Sequence, residues 1–204
     1  MLVLGLTGSI GMGKSAVAAM LTARAIPVFD ADAEVHRLYA GDAAPLIEAA
    51  FPGTVDAGGV NRQRLAAALA GEAAQFARLE SIVHPLVRRA EERFLADAHA
   101  QGRFAAVLEI PLLYETGLDR LVDAVIVVSA PADQQRARVL ARPGMTDARL
   151  DALLARQLPD AEKRARADFV VDTSGTLADS EAQVDAILAA VKARPAQAFA
   201  RHWR

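Results

Sequence analysis

The sequence predicts an α/β fold: a parallel sheet flanked by helices, with a helical insertion and a small helical lid. Three observations carry that expectation. A glycine-rich loop joins an apolar run to a helix-patterned segment near the start, continuous apolar runs return at Ala105 to Ile110 and Ala124 to Val128, and a long helix-patterned stretch lies between. Strands covered on both faces read as unbroken apolar runs, whereas half-exposed strands alternate.

Taken in order, Leu2 to Leu6 reads as a buried strand, and Ser15 to Arg24 as a helix with Val17, Met20 and Leu21 at helical spacing. Ile26 to Phe29 reads as a short second strand that ends in Asp30-Ala31-Asp32. From Glu34 to Arg103 the pattern is helical, punctuated by Gly41-Asp42, Pro52-Gly53, Gly58-Gly59, Gly71 and His84-Pro85, and an all-helical insertion is expected. Its last helix is expected over Pro85 to Gln101, with His84 extended ahead of the proline and Gly102 closing the helix. An arginine-rich helical stretch from Ala132 to Arg166 follows the two later strands, broken at Pro143-Gly144 and at Pro159. Phe169 to Val171 reads as a last short strand and Leu177 to Lys192 as an amphipathic closing helix. The tail from Arg194, which holds the only tryptophan, Trp203, is expected to be loosely held. These elements make one domain: a core over about 1–31, 104–134 and 167–204, an insertion over about 32–103, and a lid over about 135–166.

Length and composition bound the function classes. At 204 residues the chain suits one compact domain with an insertion, and 53% hydrophobic with 24% charged residues describes an ordinary globule. A net charge of −2 gives no general basic surface, so no nucleic-acid partner is expected. Without cysteine there is neither a disulfide nor thiolate chemistry. The first apolar run lacks a cationic segment ahead of it and is interrupted by Gly5, Thr7 and Gly8, so neither a signal peptide nor a membrane span is expected. The expected setting is cytoplasmic, without membrane partners, as a monomer or weak homo-oligomer.

The chemistry begins at Gly8-Ser9-Ile10-Gly11-Met12-Gly13-Lys14-Ser15, a complete G-x-x-x-x-G-K-[ST] loop directly after the first strand. Its glycines let the backbone curl with N–H groups aimed at phosphate oxygens, Lys14 reaches the outer phosphates, and the Ser15 hydroxyl suits Mg²⁺. A helix starting at the lysine and running through Ala16 adds its positive dipole end. Only Lys14, Lys163 and Lys192 are lysines among 23 basic residues, so a lysine at this point is not compositional drift. The sheet is therefore expected to be of the P-loop NTPase type. A dinucleotide reading of Gly11-Met12-Gly13-Lys14-Ser15-Ala16 also fits G-x-G-x-x-A, with Asp30 and Asp32 further on, but it leaves Gly8 unexplained.

Asp30 and Asp32 follow the second strand, where open parallel sheets place ligands. Asp32 is the better candidate for accepting the proton of an attacking hydroxyl, and helix capping is its alternative role. Gln135, Arg138 and Arg142 fall on one helical face and suit charge stabilisation under a closing lid; pairing with surface acids is the plainer account of any one arginine. His84, with Arg88 one turn on, suits an anionic substrate group or a structural role. The four histidines lack metal-ligand spacing.

In their joint order these motifs resemble the dephospho-coenzyme A kinase family over essentially the whole chain. The loop from Gly5 to Ser15, Asp30-Ala31-Asp32, His84-Pro85-Leu86-Val87-Arg88, Pro111-Leu112-Leu113-Tyr114-Glu115, and the series Gln135, Arg138, Arg142, Gln157, Lys163, Ala167-Asp168 carry the likeness. The resemblance implies transfer of the γ-phosphate of Mg·ATP to the 3′-hydroxyl of dephospho-coenzyme A, with Asp32 as base. It implies that the segment holding Leu112, Tyr114 and Glu115 contacts the acceptor. Departures are His36 where many members have arginine, Thr173 where an asparagine is common, and Leu153 at a lid position often held by arginine. A kinase of a nucleoside monophosphate or small alcohol, and a nucleotide-dependent switch without transfer, are the rival functions.

Overall fold

The computed structural model describes residues 1–204. Strand β1 (Leu2–Thr7) enters a loop and then helix α1 (Lys14–Ala23); β2 (Val28–Asp30) leads into α2 (Ala31–Tyr39). The chain continues through α3 (Ala44–Ala50), β3 (Val55–Asp56), β4 (Gly59–Val60), α4 (Arg62–Leu69) and the 28-residue α5 (Ala73–Ala100). It then forms β5 (Ala105–Glu109), β6 (Ala124–Ser129), α6 (Ala132–Leu140), α7 (Asp147–Leu154) and α8 (Asp160–Arg166). Last come β7 (Phe169–Asp172), α9 (Leu177–Val191) and α10 (Ala198–His202).

Two compact units divide these elements, one of Met1–Phe29 with Leu95–Arg204, the other of Asp30–Phe94. In the first, a five-stranded sheet has the order β2-β5-β1-β6-β7, and β1 pairs in parallel with both β5 and β6. Every residue of β1, β5 and β6 is buried, the property that the unbroken apolar runs encode. On one face Leu2, Leu4, Leu6, Val107, Ile126 and Val171 pack with Val17, Met20 and Leu21 of α1 and with Val184, Ile187, Leu188 and Val191 of α9. Thr176 and Asp179 start α9 with a reciprocal capping box, which satisfies two of the amides a helix start leaves open.

The tail departs from the expected loose terminus. Trp203 is buried and donates its indole N–H to the carbonyl of Leu121 at 2.7 Å. Asp123 is the anchor: one carboxylate oxygen accepts the amides of Gln197 and Ala198, both at 2.8 Å, while the other accepts the Val3 amide at 2.8 Å. Arg194 adds an ion pair to Asp168 at 2.8 Å.

The second unit has its own apolar cluster of Leu38, Ile47, Phe51, Leu65, Leu69 and Val83. It is not all helical, because β3 and β4 form an antiparallel hairpin with Val55 opposite Val60 and Asp56 opposite Gly59. Gly59, at φ 101°, supplies a left-handed backbone conformation that closes the turn. Helix α5 corrects the other boundary expected here, since it begins at Ala73 and carries Pro85 inside it rather than at its first turn. His84 is thus helical, not extended. The proline removes the bond that Ser81's carbonyl would accept, but Ser81 and Pro85 are both exposed, so water reaches that carbonyl.

Candidate functional site

Strand β1 ends at Thr7 and the chain turns through three glycines with positive φ, Gly8 at 152°, Gly11 at 80° and Gly13 at 94°. Space as well as backbone conformation requires them. A side-chain carbon at Gly8 would collide with the carbonyl of Val128, and one at Gly11 would stand 2.5 Å from Val139 Cγ2. Gly8, which the dinucleotide reading leaves without a role, is therefore tightly constrained.

Gly13 stands at the N-cap of α1 without a side-chain cap, and no acid occupies the first turn. No side chain caps this helix, so the positive end of its dipole carries no acidic partner from its own first turn, an arrangement that suits an anion. Lys14 and the exposed Ser15 are the first two residues of the helix. The Ala16 amide already bonds to Gly13's carbonyl at 3.1 Å, and Ala16 serves as a wall of the adjoining cavity. Ser9 and Met12 are buried; Met12 Sδ accepts the amide of Ala130 at 3.1 Å, which holds the loop against the end of β6.

Beside the loop lies a cavity of about 280 Å³ between Gly11, Gly13, Ala16 and Val17 on one side, Arg138 and Arg142 on another, and the turn from Thr173 to Leu177 on a third. Arg138 donates from Nη1 to Thr173 Oγ1 at 3.0 Å and from Nη2 to the Thr173 carbonyl at 2.6 Å. Thr173 in turn donates to the Met12 carbonyl at 2.8 Å. Of the three groups read as reaching for an anion, Gln135 differs. It is buried and donates from Nε2 to the Ile10 carbonyl at 2.8 Å. Pairing with surface acids falls to Arg136, which bonds Asp147 and Asp151 of α7.

The segment after β5 is tied to α8. Lys163, fully buried, pairs with Glu115 Oε1 at 2.9 Å and donates to the Pro111 carbonyl at 3.3 Å. Burial pushes the Glu115 carboxyl up, but the Lys163 ammonium and the Leu158 amide at 2.8 Å outweigh it and hold the group below the usual carboxylate range. Tyr114 is buried under the Arg166 guanidinium, 4.2 Å from the ring centre, and burial pushes its phenol up to about 12 despite that charge. Leu112 is exposed.

Asp32, His84 and Arg88 belong to the second unit. The capping role is filled by Asp30, whose carboxylate accepts the Ala33 amide at 2.9 Å, leaving Asp32 exposed in the first turn of α2. His36 and Arg37 have local partners, the Asp32 carbonyl at 2.7 Å and Glu34 at 2.6 Å. His84 is exposed on α5, and Arg88 pairs with Glu92 at 3.2 Å. Two features escape a reading of the sequence: the bridging hydroxyl of Thr173, and Glu109, a buried acid in register with Leu6 at the end of β5. The second has a signal, a lone acid closing an apolar strand; the first has none.

A parallel sheet whose first strand feeds a glycine loop and an uncapped helix, with Arg138 and Arg142 beside it, defines a P-loop kinase. The family model described as dephospho-CoA kinase matches residues 2–179. A dephospho-CoA kinase from Brucella melitensis is 56% identical over 198 residues, covering 97% of this chain and 99% of that protein. One from Rhodopseudomonas palustris is 58% identical over 195 residues, covering 96% and 98%. Among solved structures, the Thermus thermophilus protein TT1252 superposes with a TM-score of 0.82 at 35% identity, over 93% of this chain and 97% of that one. A shikimate kinase from Acinetobacter baumannii, at 15% identity and a TM-score of 0.52 over 94% and 93%, shares the fold. The chain belongs to the dephospho-CoA kinase family.

Proposed function

We propose that this chain transfers the γ-phosphate of ATP to the 3′-hydroxyl of the ribose of dephospho-CoA, giving CoA and ADP, the final step of coenzyme A synthesis. The observation that carries the reading is the open mouth of α1 behind a glycine loop, in a chain that matches dephospho-CoA kinases over nearly its whole length. In the reaction the acceptor oxygen forms a bond to the γ-phosphorus, the bond to the bridging oxygen of ADP breaks, and Asp32 takes the hydroxyl proton.

Residues Gly8 to Ala16 hold the triphosphate, with the Lys14 ammonium on the outer phosphates. The exposed Ser15 hydroxyl, in the first turn of the uncapped helix, fits a Mg²⁺ ligand, and the ion would neutralise phosphate charge there. Arg138 and Arg142, on the wall of the cavity beside Gly13, stabilise charge on the transferred group. The region of about 32–103, with His84 and Arg88, and the segment with Leu112, Tyr114 and Glu115 hold the acceptor, while about 135–166 acts as the lid. No helix is long and apolar enough to cross a membrane; the proposed setting is the cytoplasm, with small molecules as substrates.

A coupled assay of ADP release with ATP and dephospho-CoA tests the reading. Release that depends on the acceptor and yields CoA is the expected result. Hydrolysis indifferent to dephospho-CoA would overturn it.

A further inference from the structure

Ile10 offers the phosphate loop one main-chain donor and one acceptor, and side chains from far along the sequence take both. Gln135 Nε2 donates to its carbonyl at 2.8 Å, and Gln157 Oε1 accepts its amide at 3.2 Å. Neither side-chain amide can be turned around, because a main-chain N–H only donates and a carbonyl only accepts. We propose that Gln135 and Gln157 are positioning residues that fasten both ends of the arginine-bearing segment 136–156 to Ile10, so that lid and phosphate loop move as one.

The surroundings make Ile10 a mechanical junction. Arg138 and Arg142 lie between the two attachments, as does the turn at Gly144, with φ 74°. Beyond Gln157, α8 is held by the pair of Lys163 with Glu115 and by Ser129, whose hydroxyl donates to Asp160 at 2.8 Å. On the other side Gly11, next to Ile10, leaves no room between itself and α6: a side-chain carbon there would be 3.1 Å from the Gln135 carbonyl. The segment between the glutamines is thus a closed span whose two feet share one residue, and displacing its arginines pulls on the loop. The inference rests on residues 8–15 being the triphosphate loop.

The two attachments have opposite polarity, and that makes the proposal testable. Gln157→Glu keeps an acceptor for the Ile10 amide, whereas Gln135→Glu sets a carboxylate against a carbonyl. Hydrogen exchange at the Ile10 amide, read by NMR without nucleotide, should speed up about tenfold in Gln157→Met and Gln135→Glu and stay within about twofold of the parent in Gln157→Glu. In steady-state assays Gln135→Met and Gln157→Met should raise the KM for ATP about tenfold while kcat changes by less than about threefold. If a melting curve shows that a methionine variant has lost its fold, Gln→Asn, one methylene short of Ile10, takes its place in both measurements. Equal behaviour of the two glutamate variants, or an Ile10 amide indifferent to Gln157→Met, would overturn the proposal. The exchange measurement needs no substrate, so its failure is distinct from failure of the kinase reading.

Discussion

Lys14 is the first residue of a helix that has no side-chain cap and no acid in its first turn, the place where the proposed function puts a triphosphate. Lys14→Ala is expected to lower kcat/KM roughly a hundredfold or more, as removal of a group that stabilises charge in phosphoryl transfer does, with the melting temperature within about 2 °C. Steady-state kinetics beside a melting curve check it; a collapsed transition would give the lysine a structural role. Asp30 caps α2, so Asp32 has no capping duty there, in keeping with its proposed role as base. Asp32→Asn should therefore cost roughly a hundredfold or more in kcat while leaving the melting temperature unchanged, whereas the same change at Asp30 should lower stability with little effect on kcat. Measuring both variants separates the two aspartates. The sequence favours Asp32 over Asp30 as the base but leaves Asp32 capping as an alternative role, because capping depends on where the helix starts to within one residue.

Among the elements, α5 contains the most displaced carboxyl. Glu91 is buried, and burial pushes its pKa up to about 7, with Arg88 pulling it back and Glu92 adding to the rise. A folded-state value above the unfolded one means that the contribution to stability is fully present below the unfolded pKa of 4.5 and is lost as pH rises through about 7. Glu91→Gln should thus match the parent near pH 4.5 and exceed it at pH 8, by on the order of 2 kcal/mol. Chemical denaturation at the two pH values reads the difference, and a gain independent of pH would refute the assignment. Elements whose signal is local were legible: the glycine loop, the three fully buried strands and the helix α9. Those set by competition were not. Pro85 reads as a helix start, yet a helix this long absorbs one missing bond on its wet face; the β3–β4 hairpin is too short for any alternation to be visible.

For the molecule as a whole, the last residues act as part of the first unit. Trp203→Ala removes a buried indole and its bond to Leu121, and should cost roughly 3 kcal/mol or more, which for a chain of this size corresponds to about 6 °C or more in melting temperature. A melting curve unchanged by that substitution would return the tail to the status of a loose end. The sequence could not have revealed this anchoring, because Asp123 meets Gln197 and Ala198 across more than seventy positions and nothing periodic marks either partner. The same holds at the site. Residues 8 to 15 declare themselves by type and spacing, while Thr173 and Lys163 stand out in the sequence only through the family likeness, and what they hold, the Met12 carbonyl and Glu115, is visible only in the fold.

The bare start of α1 reaches beyond catalysis. The helix has no side-chain cap, and a ligand bound at its start stabilises the folded chain by about 2.7 kcal/mol at a hundredfold its dissociation constant. On the proposed function, resistance to proteolysis in vitro should rise as ATP is added and fall when it is withdrawn.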